Sequence, residues 1–306
     1  MNKEMLGLDN GYHFTKTSEQ IKFLSTIREG HDEYNSDILE IECEGINYIV
    51  GEPNGDYIVD ADKFKTEEGK QLLKITTLAA IGLSYPGEKF IELIVSGGLP
   101  VAYYSKQKDD FLSLIKELDG STFKINKIGF NQTIKIKDSL VIPQSAGVVF
   151  EKNLGKETTI VIDIGGGTWD VSQFDGYKMV KKATYPEGML ILYSKIAQYL
   201  NSTYYTKYAA SDIYNLINRG FFTVDGEKKS ISVVDKMIEE HVSNVIASIK
   251  RDFELSSVDN VIGIGGGATE LDKLLLKYIK QIEIEKNSDF SNANNFKTMA
   301  ELKLSK

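Results

Sequence analysis

Apolar and polar positions follow three patterns along this chain, and each pattern predicts a different element. The first is the unbroken β-branched run. Ile160, Val161, Ile162 and Ile164 have no helical period and predict a strand buried on both faces. Met5 to Leu8, Phe90 to Ser96 and Val261 to Ile264 read as strands of the same kind, the second ending in the turn Gly97-Gly98-Leu99-Pro100. The second pattern is alternation. It marks Ile38 to Val50, split into a hairpin at Gly45, then Thr122 to Ile128, then Gln132 to Ile142 with Pro143 as its stop. Trp169 to Phe174 predicts a strand that turns at Asp175-Gly176 into another, and Phe221 to Val224 before Asp225-Gly226 a small turn or hairpin.

The third pattern is helical. Leu72, Leu73, Ile75, Leu78 and Ala79 place a helix over Lys70 to Ile81, and Met189, Leu192, Ile196 and Leu200 another over Glu187 to Leu200. The longest helix starts at a Ser230 cap and buries Ile231, Val234, Ile238, Val242, Val245, Ile249 and Phe253. Thr269 to Lys280 has helical spacing through Leu271, Leu274, Leu275 and Tyr278. Ser105 caps a helix running to about Leu118, and Ser211 a short one ending near Gly220. Gln144 to Lys152 is expected as a connecting helix, and Ser291 to Leu304 as a terminal one. Gly51 to Thr66 is polar and turn-rich, an exposed arm. Tyr204, Tyr205 and Tyr208 form a link read as packing rather than a base-stacking platform.

Composition narrows the classes. At 306 residues, 42% hydrophobic and 26% charged, the chain suits two domains of an ordinary globular protein. A net charge of −8 argues against a sequence-independent grip on DNA or an anionic membrane, leaving at most a local basic patch near Lys178, Lys181 and Lys182. Cys43 is the sole cysteine, so no intrachain disulfide forms, and its strand-like run makes it a core residue. The first strand begins almost at once and no apolar run reaches the length of a membrane span, so the expected location is the cytoplasm. His13, His31 and His241 stand apart, with no metal-ligand spacing, and read as surface or packing residues.

Chemistry concentrates in glycine turns. Asp163 interrupts its strand near the end, an expensive place for a carboxylate unless it is paired or holds a cation. Gly165, Gly166, Gly167 and Thr168 follow; without Cβ atoms, glycines let backbone N–H groups approach a ligand closely. The start of the chain repeats the device with Asp9-Asn10-Gly11 and Tyr12 to Lys16, and Gly265-Gly266-Gly267 follows a third strand. Asp9 and Asp163 thus end first strands about half a chain apart, as in two related halves facing each other across a cleft. Such strand-end aspartates and turns cradle phosphate and its Mg²⁺.

The set resembles the actin, sugar-kinase and heat-shock-chaperone ATPase superfamily over nearly the whole chain, with its motifs in family order. Asp9-Asn10-Gly11 matches the first phosphate motif, Asp163 to Thr168 the second, Gly265-Gly266-Gly267 the adenosine motif, and Val141 to Gly147 the first connecting motif of plasmid actin-like proteins. Gly97 to Pro100 and Ser291 to Leu304, the latter as a helix returning to the first domain, resemble segments of the same proteins. The resemblance implies an α/β, two-domain actin-like fold with duplicated ribonuclease-H-like halves around a nucleotide cleft. Domain I is expected over residues 1–156 and 288–306, and domain II over 157–287. ATP, with GTP as an alternative, is the implied nucleotide, and Asp9 and Asp163 hold Mg²⁺ through its waters. Asn10, Gly11, Tyr12 and Gly165 to Thr168 offer backbone donors to the phosphates. Lys16 either adds charge there or faces solvent, and Arg251 is a candidate for touching the nucleotide from the longest helix. Gln144 cannot act as a general base but can orient a water.

Sugar kinases need a carboxylate to take the substrate's proton, and no residue from Val141 to Val149 is acidic. The expected function is therefore a slow Mg-dependent ATPase that polymerises, of the plasmid-partitioning ParM type, with itself and a DNA-binding adaptor as partners. A small-molecule kinase of the same fold and a pilus or cell-division assembly protein are the alternatives.

Overall fold

The structure, a computed structural model, describes residues 4–35, 37–53, 55 and 64–304. Part of the expected polar arm, residues 54 and 56–63, lies outside them. The first half contains β1 (Glu4–Asn10), β2 (Phe14–Thr17), β3 (Lys22–Leu24), β4 (Ile27–Glu29), β5 (Leu39–Cys43), β6 (Ile46–Val50), α1 (Glu67–Ser84), β7 (Phe90–Leu99), α2 (Tyr104–Glu117), β8 (Thr122–Ile125), β9 (Asn131–Pro143) and α3 (Ala146–Glu151). The second half contains β10 (Thr158–Ile164), β11 (Trp169–Asp175), β12 (Lys178–Tyr185), α4 (Met189–Tyr204), α5 (Ala210–Arg219), β13 (Phe221–Val224), β14 (Glu227–Ser230), α6 (Asp235–Asp252), β15 (Asn260–Ile264), α7 (Gly266–Glu270), α8 (Asp272–Tyr278) and β16 (Ile282–Ile284). α9 (Ser291–Leu304) follows.

Two mixed sheets share one topology. The first runs β3-β2-β1-β7-β9 and continues through β8-β5-β6-β4; the second runs β12-β11-β10-β15-β16. In each, a hairpin strand pairs antiparallel with the first strand, which then lies parallel to two later strands. The repeated core is the two-domain actin-like fold expected from the motifs. Each sheet packs helices over its own apolar cluster, around Leu6, Leu8, Ile75 and Val95 in one half and Ile160, Ile162, Tyr193 and Ile249 in the other.

Several local expectations change. The Gly97-Gly98 turn is instead the end of β7, paired to Val141 and Ile142, because the missing side chains make room for the rings of Phe111 and Phe296. Ser105 does not cap α2, which starts at Tyr104 without a side-chain cap. Ser211 sits inside α5; Asp212 instead accepts from the Ala209 N–H at 2.7 Å, and the Ser211 hydroxyl donates to the Pro53 carbonyl of the other half. Ser230 caps a 3₁₀ turn that leads into α6. The helix expected over Thr269 to Lys280 is broken at Leu271 into α7 and α8. Tyr204 and Tyr208 pack or bond as expected, whereas Tyr205 is exposed.

α9 crosses to the first sheet and packs on β1 and β7. The contact is close enough to require glycine: a Cβ on Gly7 would lie 1.8 Å from the Ala293 carbonyl oxygen, and one on Gly98 would lie 1.9 Å from the Phe296 ring. Among the described residues, no helix is long and apolar enough to cross a membrane.

Candidate functional site

β1 carries Asp9 and Asn10 as its last residues. The chain then turns back, with the Gly11 N–H donating to the Phe14 carbonyl at 3.1 Å, and β2 returns Lys16 opposite Asp9. β10 and β11 build the matching corner. The Gly165 N–H donates to the Thr168 carbonyl at 2.9 Å, and the hairpin register sets Asp170 opposite Asp163. Cross-strand partners share a face, so the hairpin delivers a second carboxylate to the side of the first. Behind them β15 ends at Gly265, whose φ of +87° and whose lack of a Cβ let it sit against Asp163; a Cβ there would lie 2.6 Å from Asp163 Oδ1.

These corners line one cleft between the sheets. Asp9, Gly11, Tyr12, Lys16, Gln144, Asp163, Gly165 to Thr168 and Gly265 to Gly267, all expected from sequence, line it together. Asn10 does not: its side-chain amide donates to Thr77 Oγ1 of α1 at 2.7 Å. Lys16 does not face solvent; it is buried. The structure does not bring Arg251 to this site. Its side chain is 73% exposed near the end of α6, 3.7 Å from Asp252. α6 does border an apolar hollow that adjoins the cleft at Met189 and Glu270, but through Asp235, Ile238 and Glu239 near its start.

The cleft is rich in acid. Burial pushes the Asp163 carboxyl up to about 7; the Asp170 and Asp9 charges add to this, against a hydrogen bond from Asn292 and the Lys16 charge. Asp170 is also buried and accepts from the Thr168 hydroxyl at 2.7 Å and the Thr184 hydroxyl at 2.5 Å. Lys16 and Lys22 grip Asp289 at 3.0 and 2.9 Å, and although burial opposes ionisation, the two ammonium groups hold that carboxyl below its usual range. Glu270, which accepts from the Tyr193 hydroxyl, is raised by burial.

The two phosphate-type corners also touch. A Cβ on Gly167 would lie 2.8 Å from the Tyr12 ring, and one on Gly166 would lie 2.6 Å from His13 Cβ. His13 is a packing histidine, one of the two roles expected for it, and it packs at the cleft itself. It lies at the cleft with its ring edge-on to Tyr193 and Tyr214 of the opposite half, at 5.8 and 6.1 Å. Burial, together with the Lys16 and Lys22 charges, lowers its pKa to about 4, so the ring is neutral at pH 7.

Sequence reasoning missed His13, Asp170, Glu270 and Asn292 among the lining residues. Asp170 was within reach, because a tight turn closing at Gly165 and Thr168 pairs Asp163 with Asp170. Glu270 and Asn292 arrive from α7 and α9 and carry no local signal. The donor set suits a hydrated cation. Four carboxylates, Asp9, Asp163, Asp170 and Glu270, line the cleft, and among the described residues no three His, Cys, Asp or Glu side chains converge into a direct metal site. Mg²⁺ retains its waters readily and fits such a set.

Residues 7–147 match the family model for the N-terminal domain of actin-like proteins. No curated protein matches the chain significantly. Among solved structures, it is similar to a non-polymerisable quadruple mutant of pCBH ParM, 23% identical with a TM-score of 0.81 over 98% of this chain and 100% of that one. A 15-stranded ParM filament from Clostridium botulinum is 20% identical with a TM-score of 0.80 over 99% and 100%. An archaeal actin homolog in complex with ADP is 17% identical with a TM-score of 0.76 over 98% and 99%. At these identities the likeness establishes the actin-like fold.

Proposed function

We propose that this actin-like chain is a slow, Mg-dependent ATPase of the ParM type that assembles into filaments and segregates plasmid DNA. The observation that carries the reading is the convergence of Asp9, Asp163 and Asp170 with the three glycine turns on one cleft between two sheets of the same topology. The relatives support it: one is a ParM filament and another binds ADP.

In this reading residues 1–156 with 288–306 form one closing body and residues 157–287 the other. Backbone N–H groups at Tyr12 and Gly166 to Thr168, with Lys16, hold the phosphates of ATP or, as the alternative, GTP, while the Gly11 and Gly165 N–H groups close the two turns that present them. The apolar hollow beside Met189 and Leu192 takes the base. Asp9, Asp163 and Asp170 hold Mg²⁺ through water, and the bound ion neutralises phosphate charge. Gln144, buried at the cleft, orients the attacking water. A kinase would need a carboxylate ready to take a substrate proton. The connecting segment supplies none, and both Asp170 oxygens already accept from threonine hydroxyls. With a net charge of −8, DNA is reached through an adaptor protein.

Sedimentation with ATP, ADP and no nucleotide tests the reading, alongside Asp9→Ala and Asp163→Ala. Pelleting and phosphate release that need ATP, Mg²⁺ and both aspartates are expected. Nucleotide consumption that requires a sugar or acid, without pelleting, would replace this reading with the kinase.

A further inference from the structure

The asparagine-rich start of α9, Ser291-Asn292-Ala293-Asn294-Asn295, brings Asn292 to the cleft. Its backbone is fixed to the first half by the close approach to Gly7. Yet one of its side chains reaches the other half. Asn292 Nδ2 donates to Asp163 Oδ2 at 2.8 Å, and both residues are buried. The Asn292 oxygen has no hydrogen-bond partner, so this amide is buried at a cost and spends its donor on one carboxylate. One turn on, Asn295 is buried with both amide atoms unpartnered and packs on Gly147, just past Gln144; a Cβ on Gly147 would lie 2.3 Å from Asn295 Cβ.

Two alternatives explain Asn292. In one it serves the fold, giving an otherwise awkward carboxylate a donor; in the other it serves the site, fixing where that carboxylate points. The geometry favours the second. A donor for Asp163 within its own sheet would satisfy the fold. The donor comes instead from a helix bolted to β1, the strand that carries Asp9 next to its end. α9 therefore spans the cleft floor and ties the Asp163 carboxylate to the frame that carries Asp9.

We propose that Asn292 is a positioning residue for Asp163. It holds one carboxylate oxygen so that the other faces the cleft, in register with Asp9, for the hydrated cation. This rests on the reading of Asp163 as a cation-holding residue. Outer partners of metal-holding carboxylates typically change metal affinity or activity by about 10–100-fold when removed.

The test is Mn²⁺ binding, followed by electron paramagnetic resonance in the presence of a non-hydrolysable ATP analogue. The variants are Asn292→Ala, Asn292→Leu, Asn295→Ala and Asp163→Ala; leucine keeps the branching of asparagine at Cγ without its donor and is the bulkier side chain. Both Asn292 variants should raise the Mn²⁺ midpoint by about tenfold or more and lower kcat, while KM for ATP moves by less than about threefold. Asn295→Ala, from the same helix face, should leave the Mn²⁺ midpoint unchanged. A wild-type midpoint in Asn292→Leu, with binding lost in Asp163→Ala, overturns the positioning role and keeps the site. A wild-type midpoint in Asp163→Ala overturns the reading of the site itself. Equal shifts in Asn292→Ala and Asn295→Ala would assign α9 a purely structural role and overturn the inference.

Discussion

Substituting Gly166 by alanine places the new methyl against the opposite half of the molecule. A Cβ there would lie 2.6 Å from His13 Cβ, 3.0 Å from the His13 nitrogen and 3.3 Å from His13 Cα. Two of those atoms are backbone, so no rotamer change removes the overlap. Forcing a methyl into filled space costs about 1–3 kcal/mol. Nothing within the Gly166 hairpin contributes to the overlap, so opening the cleft relieves it. The cost therefore falls on the closed arrangement, and the affinity for nucleotide, which must touch both corners, should drop about 5–150-fold at 1.4 kcal/mol per decade. The assay is titration with a fluorescent ATP analogue, paired with a thermal melt of the nucleotide-free protein, whose midpoint should move by no more than a few degrees. His13→Gly in the same chain removes the atom at 2.6 Å but leaves the nitrogen at 3.0 Å, so it should restore part of the affinity and not all of it. Wild-type affinity in Gly166→Ala would refute the idea that nucleotide requires the corners in contact. A large loss of thermal stability would place the cost in folding instead.

Gln144→Ala should bind ATP normally, release phosphate roughly tenfold to a thousandfold more slowly, and leave polymer standing longer in light scattering; normal release would remove Gln144 from the chemistry. His13, lowered to about 4, contributes stability that is complete above the unfolded value of 6.5 and is lost as pH falls through that range. His13→Phe should therefore lose roughly 1 kcal/mol less than wild type between pH 7.5 and 5.5, measured by urea unfolding. Asp163, raised to about 7, has the opposite sign: its burden is absent below 3.8 and grows until pH passes about 7. Asp163→Asn should thus stabilise the nucleotide-free protein at pH 8 but not at pH 4, while abolishing Mg-dependent turnover; a destabilised variant at pH 8 would contradict the burial of an ionised carboxylate.

Much of the fold was legible because the strands that build the two corners carry their own signal. Ile160 to Ile164 and Val261 to Ile264 are apolar on both faces, and β10 and β15 lie side by side at the centre of their sheet. The turns at Gly45, Gly176, Gly220 and Gly226 all have φ > 0, which is the property that marked them. What was lost depended on partners distant in sequence. Gly97 and Gly98 look like a turn until Phe111 and Phe296 are seen to need their missing side chains. Serine caps were expected at Ser105 and Ser211, but Pro53 claims the Ser211 hydroxyl from across the cleft. Lys16 was left between phosphate and solvent, and only the approach of Asp289 fixes it. Arg251 shows the limit of a resemblance carried to a single residue: a likeness between helices does not say which turn of the helix meets the cleft, and the Arg251 side chain lies exposed beside Asp252.

The packing of α9 on β1 bears on biosynthesis. Ribosomes add about 5–20 residues per second, so roughly 15–60 s separate the emergence of β1 from that of α9. Through that interval β1 lacks the helix that covers it, and Asp163 lacks its Asn292 donor. A growing chain thus carries both phosphate corners long before it can hold them in register. The arrival of α9 is therefore the step that covers β1 and gives the Asp163 carboxylate its donor.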